Sequence, residues 1–293
     1  MGGMLRDYLT LMRPHQYIKN LVIFAPAFFA LRITETDTLW RMLLGVVGFS
    51  LVASAVYILN DYLDRDEDRQ HPKKKDRPLA SGRVAPGQAL LLMSGLILVT
   101  IPAFFVLDRQ AFYLVSAYVF MNVLYTFRLK HVPIIDIFII ALGFLIRVGI
   151  GAALAQPHIP LSMWIVLIIF LGALFLGLAK RRDDVLLAAD GRKVRKNIDG
   201  YNLEFINGAM MIMASVLTVS YISYTISPEV QAKFQNQNLY ITVFFVLLGV
   251  LRYMQITFVE ERSGSPSKIF LRDIFLQLTI LGWILTFVFL LYY

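Results

Sequence analysis

The most informative part of the chain reads Met42-Leu-Leu-Gly-Val-Val-Gly-Phe-Ser-Leu-Val-Ala-Ser-Ala-Val-Tyr-Ile-Leu59, followed directly by Asn60-Asp-Tyr-Leu-Asp64-Arg-Asp-Glu-Asp68. The first part is apolar around the whole circumference of a helix, and its length is close to the roughly 20 residues that a helix needs to cross a bilayer. The second part is strongly acidic. This stretch therefore predicts a membrane span that ends directly in a polar segment suited to chemistry.

The chain as a whole has the composition of a membrane protein. Hydrophobic residues make up 58% of its 293 residues and charged residues only 16%, against about 25% in soluble domains, and the mean hydropathy is +0.65. These values exclude a soluble α/β enzyme, a disordered chain and a collagen-like chain. The sequence contains no cysteine, which excludes a disulfide scaffold, a thiolate metal site and a cysteine nucleophile.

Apolar runs of similar length recur along the chain and predict an all-α integral membrane fold. Counting about 20 residues per crossing, we place nine membrane-spanning helices. Pro26 should kink the first of them, because proline lacks the N–H that a helix interior requires. The predicted spans are 14–31, 39–59, 88–107, 111–127, 134–155, 161–180, 204–226, 239–258 and 272–292.

The distribution of basic residues orients these spans. With the N-terminus in the cytoplasm, 22 of the 28 Lys and Arg residues fall in cytoplasmic segments, as expected from the excess of positive charge in such loops. Topology therefore explains the net charge of +8 without nucleic acid as a partner. We predict a multi-pass protein of a bacterial-type inner (plasma) membrane.

The polar material is concentrated on one side of the membrane. The two long polar loops, at about 60–87 and 181–203, both face the cytoplasm in this topology, and the connections on the opposite side are short. We therefore predict a single transmembrane domain over residues 1–293, with an active site that is open to the cytoplasm.

The first loop begins with side chains suited to bind a divalent cation. If the preceding helix continues past Asn60, then Asn60, Asp64 and Asp68 recur at i, i+4 and i+8 and share one face, with Asp61 beside them. Stacked carboxylates repel one another unless a cation lies between them, and Mg²⁺ binds through a few carboxylates together with substrate phosphates. The alternative is that these acidic and basic residues only form a solvated end of the span, where the positive charge sets its orientation. The basic residues that would complete a diphosphate cradle are Lys73, Lys74, Lys75 and Arg77.

The second loop starts with Lys180-Arg181-Arg182-Asp183-Asp184, again at the cytoplasmic end of a span. Lys180 and Asp184 are i, i+4 neighbours, so a cation and a carboxylate should point the same way. The segment either supplies phosphate ligands and one further acid, or merely stops the span with an ion pair.

Arg147 is the most informative single residue, because a charged side chain inside a membrane span is costly and usually functional. It lies 11 residues beyond Asp136, which is about three helical turns, so the two side chains share a face, with Gly143 between them. We favour a polar cavity around Arg147 over a structural pair with an acid elsewhere, since no further acid is evident inside the spans.

Two further polar clusters lie on the cytoplasmic side. Gln16 and Lys19 lie at the mouth of the first span, in Arg13-Pro-His-Gln-Tyr-Ile-Lys-Asn20, and Tyr125 and Lys130 lie between spans four and five. Because two charged loops share this side of the membrane, these side chains are candidates to line a ligand site.

The motif Asn60-Asp-x-x-Asp64-x-x-x-Asp68, after the second of nine spans, resembles that of the UbiA superfamily of intramembrane prenyltransferases, and the resemblance covers essentially the whole chain. It implies Mg²⁺ as a cofactor, bound by Asp-rich motifs, and a polyprenyl substrate. Where the aromatic prenyltransferases carry a second Asp-rich motif, this chain has the three cations of Lys180-Arg181-Arg182.

Further motifs are similar to those of one branch of the superfamily, the decaprenyl-phosphate phosphoribosyltransferases. The resemblance implies phosphoribosyl pyrophosphate as the donor and a polyprenyl phosphate as the acceptor. The many cations agree with two substrates that both carry phosphate. The motifs are Arg13-Pro-x-Gln16-x-x-Lys19-Asn20, His71-Pro-x-Lys74-x-x-Arg77-Pro-x-x-x-Gly82, Leu129-Lys130-His131, Asp136 and Gly143-Phe-Leu-Ile-Arg147.

The chemistry implied is displacement at the anomeric carbon of the ribose. Mg²⁺ on Asn60, Asp64 and Asp68 would neutralise the departing pyrophosphate, and Asp61 or Asp184 would stabilise an oxocarbenium-like transition state. Asp61, Asp64 and Asp184 are therefore the expected catalytic residues. The expected substrate-binding residues are Gln16, Lys19, Lys73, Lys74, Arg77, Tyr125, Lys130, Asp136, Arg147, Lys180, Arg181 and Arg182.

Two alternatives remain. A prenyltransferase would use the same acidic motif to move a polyprenyl group from its diphosphate to an aromatic acceptor, although the cations of Lys180-Arg181-Arg182 argue against it. A transporter is supported only by the number of spans and by Arg147, and the inverted repeats expected of transporters are not evident. A homo-oligomer is compatible with each of these interpretations.

Overall fold

The computed structural model describes residues 2–70, 74–189 and 196–292, and over these residues it contains helices and connecting segments but no strand. The predicted all-α class is confirmed. The α-helices are α1 Gly2–Met12, α2 Ala25–Phe29, α3 Thr36–Leu63, α4 Arg65–Arg69, α5 Pro86–Leu107, α6 Arg109–Phe127, α7 Ile135–Leu154, α8 Met163–Ala189, α9 Leu203–Ile226, α10 Pro228–Phe234, α11 Val243–Phe258, α12 Pro266–Arg272 and α13 Ile274–Tyr292. Short 3-10 helices span Pro14–Phe24, Leu129–His131, Lys196–Gly200 and Asn238–Thr242.

The chain divides into two compact units, Met1–Leu161 and Ser162–Tyr293. The first unit contains α1 to α7, and its core packs side chains of α3, α5, α6 and α7 around Phe49 and Phe104. The second unit contains α8 to α13. The predicted single domain over 1–293 stays a prediction.

Eight helical segments in the described ranges are long and apolar enough to cross a membrane. Seven are α3, α5, α6, α7, α8, α9 and α13, and the eighth joins a 3-10 turn to α11 as Asn238–Phe258. These segments correspond to eight of the nine predicted spans. The chain is therefore a multi-pass membrane protein.

The first predicted span, 14–31, does not form one continuous α-helix. A 3-10 helix covers Pro14–Phe24, and α2 then starts at Ala25 with Pro26 in its first turn. Proline has no N–H to donate, but it fits the first turn of a helix, where that N–H has no partner. Pro26 therefore lies at the start of a new short helix and does not kink a long one. The predicted count of nine spans is not confirmed.

The 3-10 helix Pro14–Phe24 lies directly on α7, where a glycine makes the contact possible. A Cβ atom added at Gly151 would lie 1.9 Å from the carbonyl oxygen of Ile23. Small residues allow such close backbone approach between membrane helices. This contact holds the segment that carries Gln16 and Lys19 against the helix that carries Arg147.

Replacing Gly151 by Ala is expected to lower the free energy of unfolding by about 1–3 kcal/mol, because the new methyl group forces the two backbones apart. The matched control is Gly95→Ala in α5, where a Cβ atom meets nothing within 4 Å. That change should be neutral or slightly stabilising, since Ala favours a helix over Gly. Thermal unfolding in detergent compares the two variants. Equal stability would contradict the close contact.

Two helices extend beyond the predicted ends of their spans. α3 continues to Leu63, and α4 follows after Asp64, so the predicted loop of about 60–87 is partly helical. α8 continues to Ala189, which places Lys180 to Asp184 in a helix and corrects the predicted loop of 181–203. The charged residues tolerate a helix there because Arg181 donates to Asp184 at i, i+3.

Candidate functional site

Two buried carboxylates share one guanidinium group at the end of α3. Nη1 of Arg77 donates to Oδ1 of Asp61 at 2.9 Å and to Oδ2 of Asp68 at 2.6 Å. Both carboxyl side chains are 3% exposed. Nζ of Lys74 lies 3.8 Å from Oδ1 of Asp68. A buried carboxylate is costly unless a cation pairs with it, so these contacts explain how α3 and α4 place two acids side by side.

Arg13 approaches the same cluster from the turn between α1 and the following 3-10 helix. Its guanidinium donates to Asp61, and it lies 5.1 Å from the ring centre of Tyr57. The backbone of Arg13 has φ 56° and ψ 58°, a left-handed conformation that costs a non-glycine residue about 1–2 kcal/mol. The turn is fixed on α3, because Ser54 donates from Oγ to the carbonyl of Met12 at 2.9 Å.

A second set of contacts lies between α3 and the end of α6. The hydroxyl of Thr126 donates to Oδ1 of Asn60, and Nζ of Lys130 forms an ion pair with Asp64. Lys130 belongs to the 3-10 turn Leu129–His131 that follows α6. Asn60 and Asp64 therefore contact the end of α6 and the turn that follows it. Asp61 and Asp68 contact Arg77 instead.

This grouping differs from the predicted ladder of Asn60, Asp64 and Asp68. The ladder assumed one continuous helix, whereas α3 ends at Leu63 and α4 begins at Arg65. In the described part of the chain, no three His, Asp or Glu side chains are close enough to hold a metal ion. The metal-binding role of the three residues therefore stays a prediction. Lys73, predicted in the cradle, lies outside the described residues.

The pair of Asp61 and Asp68 fits a divalent cation by its donor atoms. One oxygen from each carboxylate lies within 3 Å of the same nitrogen of Arg77, so a positive charge already lies between them. Mg²⁺ prefers such oxygen ligands and is usually held by one or two carboxylates, together with water and substrate phosphates. The residues present are compatible with Mg²⁺ bound in this way.

Arg147 is buried in the first unit, and its hydrogen bonds and ring contacts are all with neutral groups. Its side chain, 5% exposed, donates from Nε to Oδ1 of Asn20 at 2.8 Å and from Nη1 to the carbonyl of Gly143 at 2.7 Å. Nη2 lies 3.4 Å from the hydroxyl of Tyr118. The guanidinium carbon lies 4.7, 5.2 and 5.3 Å from the ring centres of Phe49, Tyr118 and Phe144.

These contacts connect α7 to the 3-10 helix Pro14–Phe24 through Arg147. Within the described residues it has no carboxylate partner, so the structural pair with an acid that we considered is not present there. Aromatic faces stabilise the cation, and the hydrogen bond to Asn20 ties α7 to the 3-10 helix Pro14–Phe24. Asn20 in turn donates to Oγ of Ser50 in α3 at 2.8 Å. Arg147 and Asn20 therefore position the segment that carries Lys19.

The other predicted binding residues of the first unit lie on the same elements. Lys19 is half-buried and has no hydrogen-bond or ion-pair partner among the residues that the structure describes, and the guanidinium groups of Arg13 and Arg147 repel its ammonium group. Gln16 and Tyr125 are half-buried. Asp136 is wholly buried in the first turn of α7. The binding roles of these residues stay predictions.

In the second unit, the cations of α8 are engaged within the protein. Nη1 of Arg181 donates to Oδ2 of Asp184 at 2.6 Å. Nη1 of Arg182 donates to the carbonyl of Thr257 at 2.8 Å, and its Nε donates to Oδ1 of Asn207 at 3.1 Å. Arg182 therefore ties α8 to α9 and to the end of α11. Lys180 is half-buried, and the binding role of all three cations stays a prediction.

Sequence reasoning placed Gln16 and Lys19 among the expected binding residues, but it named Arg13 and Asn20 only as parts of a motif. Asn20 was recognisable as an amide inside an apolar segment, where polar side chains need a partner. Arg13 gave a weaker signal, since a basic residue before a span is usually topogenic. Its position depends on the left-handed turn, which the sequence does not reveal.

Comparison with known proteins adds to this description. Residues 21–281 match the family model described as the UbiA prenyltransferase family. The chain is 31% identical over 284 residues to a decaprenyl-phosphate phosphoribosyltransferase of Mycolicibacterium smegmatis, covering 93% of this chain and 88% of the relative. It is 31% identical over 278 residues to the protein of the same description in Corynebacterium glutamicum, covering 93% and 83% of the two chains.

The fold is also similar to that of a solved membrane protein. A UbiA homologue from Archaeoglobus fulgidus, bound to DMAPP and Mg²⁺, superimposes with a TM-score of 0.72 over 95% of this chain and 98% of that chain. The two sequences are 18% identical, so this similarity concerns the fold alone.

Proposed function

The chain belongs to the UbiA prenyltransferase family, and we propose that it transfers 5-phosphoribose from phosphoribosyl pyrophosphate to a polyprenyl phosphate, with release of pyrophosphate. The observation that carries this proposal is the 31% identity over 93% of the chain to a relative described as a decaprenyl-phosphate phosphoribosyltransferase. A family model alone leaves the substrates open, because one fold serves several reactions.

The charges around the acidic cluster support this choice of substrates. Three carboxylates, those of Asp61, Asp64 and Asp68, lie among more cations than they neutralise. Two phosphorylated substrates require such an excess, and guanidinium and ammonium groups are the usual ligands of phosphate. The cations of the first unit that contact these carboxylates are Arg13, Lys74, Arg77 and Lys130.

In the proposed reaction, an oxygen of the lipid phosphate bonds to the anomeric carbon as the bond from that carbon to pyrophosphate breaks. The second ionisation of a phosphate monoester lies near pH 6, so the nucleophile needs no strong general base. Arg77, Lys74 and Lys130 would hold phosphate oxygens, which fixes the approach of the two reactants. Asp61 or Asp64 would stabilise positive charge on the ribose in the transition state.

Mg²⁺ would be held by Asp61 and Asp68, with Asn60 and Asp64 as further ligands, and when bound it would neutralise charge on the departing pyrophosphate. Arg77 and Lys74, released from the carboxylates, would bind phosphate oxygens. We further propose a bacterial-type inner (plasma) membrane, an N-terminus and an active site that face the cytoplasm, and assembly as a homo-oligomer.

The test is transfer of radioactive label from phosphoribosyl pyrophosphate to lipid. Purified protein, Mg²⁺ and decaprenyl phosphate are incubated with the labelled donor, and the lipid is extracted into organic solvent. We expect label in the lipid phase, and its loss when EDTA removes the metal, because the carboxylates then have no divalent cation to present to the pyrophosphate.

A parallel reaction contains a polyprenyl diphosphate and para-hydroxybenzoate. Prenylation of the aromatic acceptor without ribosyl transfer would contradict the proposal and assign the chain to the aromatic prenyltransferases. Labelling that persists in EDTA would contradict the role of a divalent metal but not the choice of donor.

A further inference from the structure

The first helix, α1, has two apolar strips, and only one of them packs against the protein. Leu11 is wholly buried in a cluster that includes Ile58 of α3 and Ala89 of α5. Leu5 and Leu9 lie one turn apart on another side of the helix and are 64% and 48% exposed. Within the described part of the chain, nothing covers this second strip.

The C-terminal end of α1 lies at the depth of the membrane spans and not at that of the polar loop. The carbonyl of Met12 accepts from Oγ of Ser54 at 2.9 Å. Ser54 lies five residues before Leu59, the last apolar residue ahead of the acidic motif, and therefore about 8 Å further into the span at 1.5 Å per residue. Amphipathic helices at a membrane surface are buried to a similar depth, about 5–10 Å. In a membrane, the strip of Leu5 and Leu9 is therefore close to lipid.

The polar side of α1 carries a cation suited to a lipid headgroup. Arg6 is exposed and has no ion-pair partner among the residues that the structure describes. Asp7 is the one acid of α1, and it already forms an ion pair with Arg83 at 2.8 Å. An apolar strip beside an available arginine matches the surface of a bilayer that contains anionic lipids.

α1 is also connected to both guanidinium groups that donate to Asp61. Arg13 follows α1 directly and donates to Asp61 from there. Asp7 accepts from Nε of Arg83, in the segment between α4 and α5 that also carries Arg77, the second donor to Asp61. A displacement of α1 would therefore act on the surroundings of Asp61 from two sides.

We propose that α1 binds the surface of an anionic bilayer, with Leu5 and Leu9 among the acyl chains and Arg6 on a lipid phosphate, and that this contact holds Arg13 against Asp61. A two-fold dimer through the same strip would bring two Arg6 side chains toward each other. The charge on α1 therefore favours lipid over a second copy of the chain as the partner.

Spin labels test the lipid contact on the full-length protein, because the chain contains no cysteine that would compete for the label. Leu5→Cys and Leu9→Cys are labelled separately in nanodiscs of phosphatidylcholine and phosphatidylglycerol. Thr10→Cys is the matched control, since Thr10 is exposed on the same side of α1 as Arg6. The ratio of collisions with O₂, which concentrates among acyl chains, to collisions with a water-soluble Ni²⁺ chelate should be at least about threefold higher at positions 5 and 9 than at position 10.

Two results would overturn the lipid contact. Equal access of the chelate to all three positions would place the strip of Leu5 and Leu9 in water. Low access of both reagents to positions 5 and 9 would show that protein covers the strip, as a second copy of the chain would.

The effect on Arg13 is tested by phosphoribosyl transfer, so this part rests on the proposed function. Replacing phosphatidylglycerol by phosphatidylcholine should lower kcat of the wild type about fivefold, the loss expected when one arginine no longer meets an anionic surface. Arg6→Gln should have the lower kcat in both lipids. The matched control is Lys268→Gln, at an exposed cation of α12, which should respond to the lipids as the wild type does.

An Arg6→Gln variant with the same lipid response as the wild type would contradict the link between the bilayer and the acidic cluster. If the wild type transfers no ribose but the labels at positions 5 and 9 lie in lipid, the proposed reaction is wrong and the lipid contact stands.

Discussion

Asp68→Asn is expected to reduce kcat for phosphoribosyl transfer by about a thousandfold, which is the upper range for removal of one electrostatic group from an active site. The buried carboxylate of Asp68 accepts from Arg77 at 2.6 Å and lies 3.8 Å from Lys74. An amide has nearly the same shape but no charge, so it neither attracts a divalent cation nor holds the two basic side chains. The loss should appear in kcat because the missing interaction is with the leaving group.

Asp66→Asn is the matched control for this change. Asp66 is in the same short helix, its side chain is 73% exposed, and its partners Arg65 and Arg69 are themselves partly exposed. Exposed ion pairs contribute little to stability, so we expect kcat within about twofold of wild type. Both variants are compared by label transfer and by thermal unfolding in detergent. A folded Asp68→Asn variant that keeps a tenth of wild-type activity would remove Asp68 from the site.

Arg147→Ala is expected to abolish turnover and to lower the free energy of unfolding by about 3–5 kcal/mol, the range for truncating a large buried side chain. The change leaves Oδ1 of Asn20 without its donor, removes the side-chain hydrogen bond to the carbonyl of Gly143, and opens a cavity lined by Phe49. Because Asn20 would lose its tie to α7, the segment that carries Lys19 should shift. Thermal unfolding and label transfer measure the two effects.

Two further variants separate a positioning role from direct binding of substrate. Arg147→Lys keeps the charge but not the planar fork that reaches Asn20 and Gly143 together, and Asn20→Ala removes the tie while keeping Arg147. If Arg147 positions the segment, both variants should lose activity about tenfold. Full activity in both variants would show that activity requires the positive charge at position 147 but not the hydrogen bond to Asn20. Arg109→Ala, at an exposed arginine over Phe105, is the control and should be silent.

Hydropathy was sufficient to predict eight of the spans, because a run of about 20 apolar residues has few alternatives to a membrane helix. It failed for 14–31, where most residues are apolar but the segment forms a 3-10 helix followed by a short α-helix with Pro26 in its first turn. It also ended α8 too early, because hydropathy falls at Lys180 whereas the helix continues to Ala189. Hydropathy detects the membrane boundary, which is not the end of the helix.

The candidate site was predictable in its residue types but not in its pairings. The acidic motif after α3 indicated a cation site, and the structure places cations around all of its carboxylates. The pairing of Asp61 with Asp68 depends on their shared partner Arg77, which lies beyond α4, and the spacing of the acidic residues alone does not indicate this partner. The contact of Arg147 with Asn20 joins residues 127 positions apart, and no local pattern encodes such a contact.

The shared guanidinium of Arg77 couples the two kinds of ligand that the proposed reaction requires. Arg77 and the carboxylates of Asp61 and Asp68 satisfy one another. A divalent cation that takes the carboxylates releases the guanidinium for a phosphate, and a phosphate that takes the guanidinium exposes the carboxylates to the cation. Each ligand therefore strengthens the binding of the other by the same factor. Under the proposed function, these internal ion pairs would make the metal and the donor bind cooperatively.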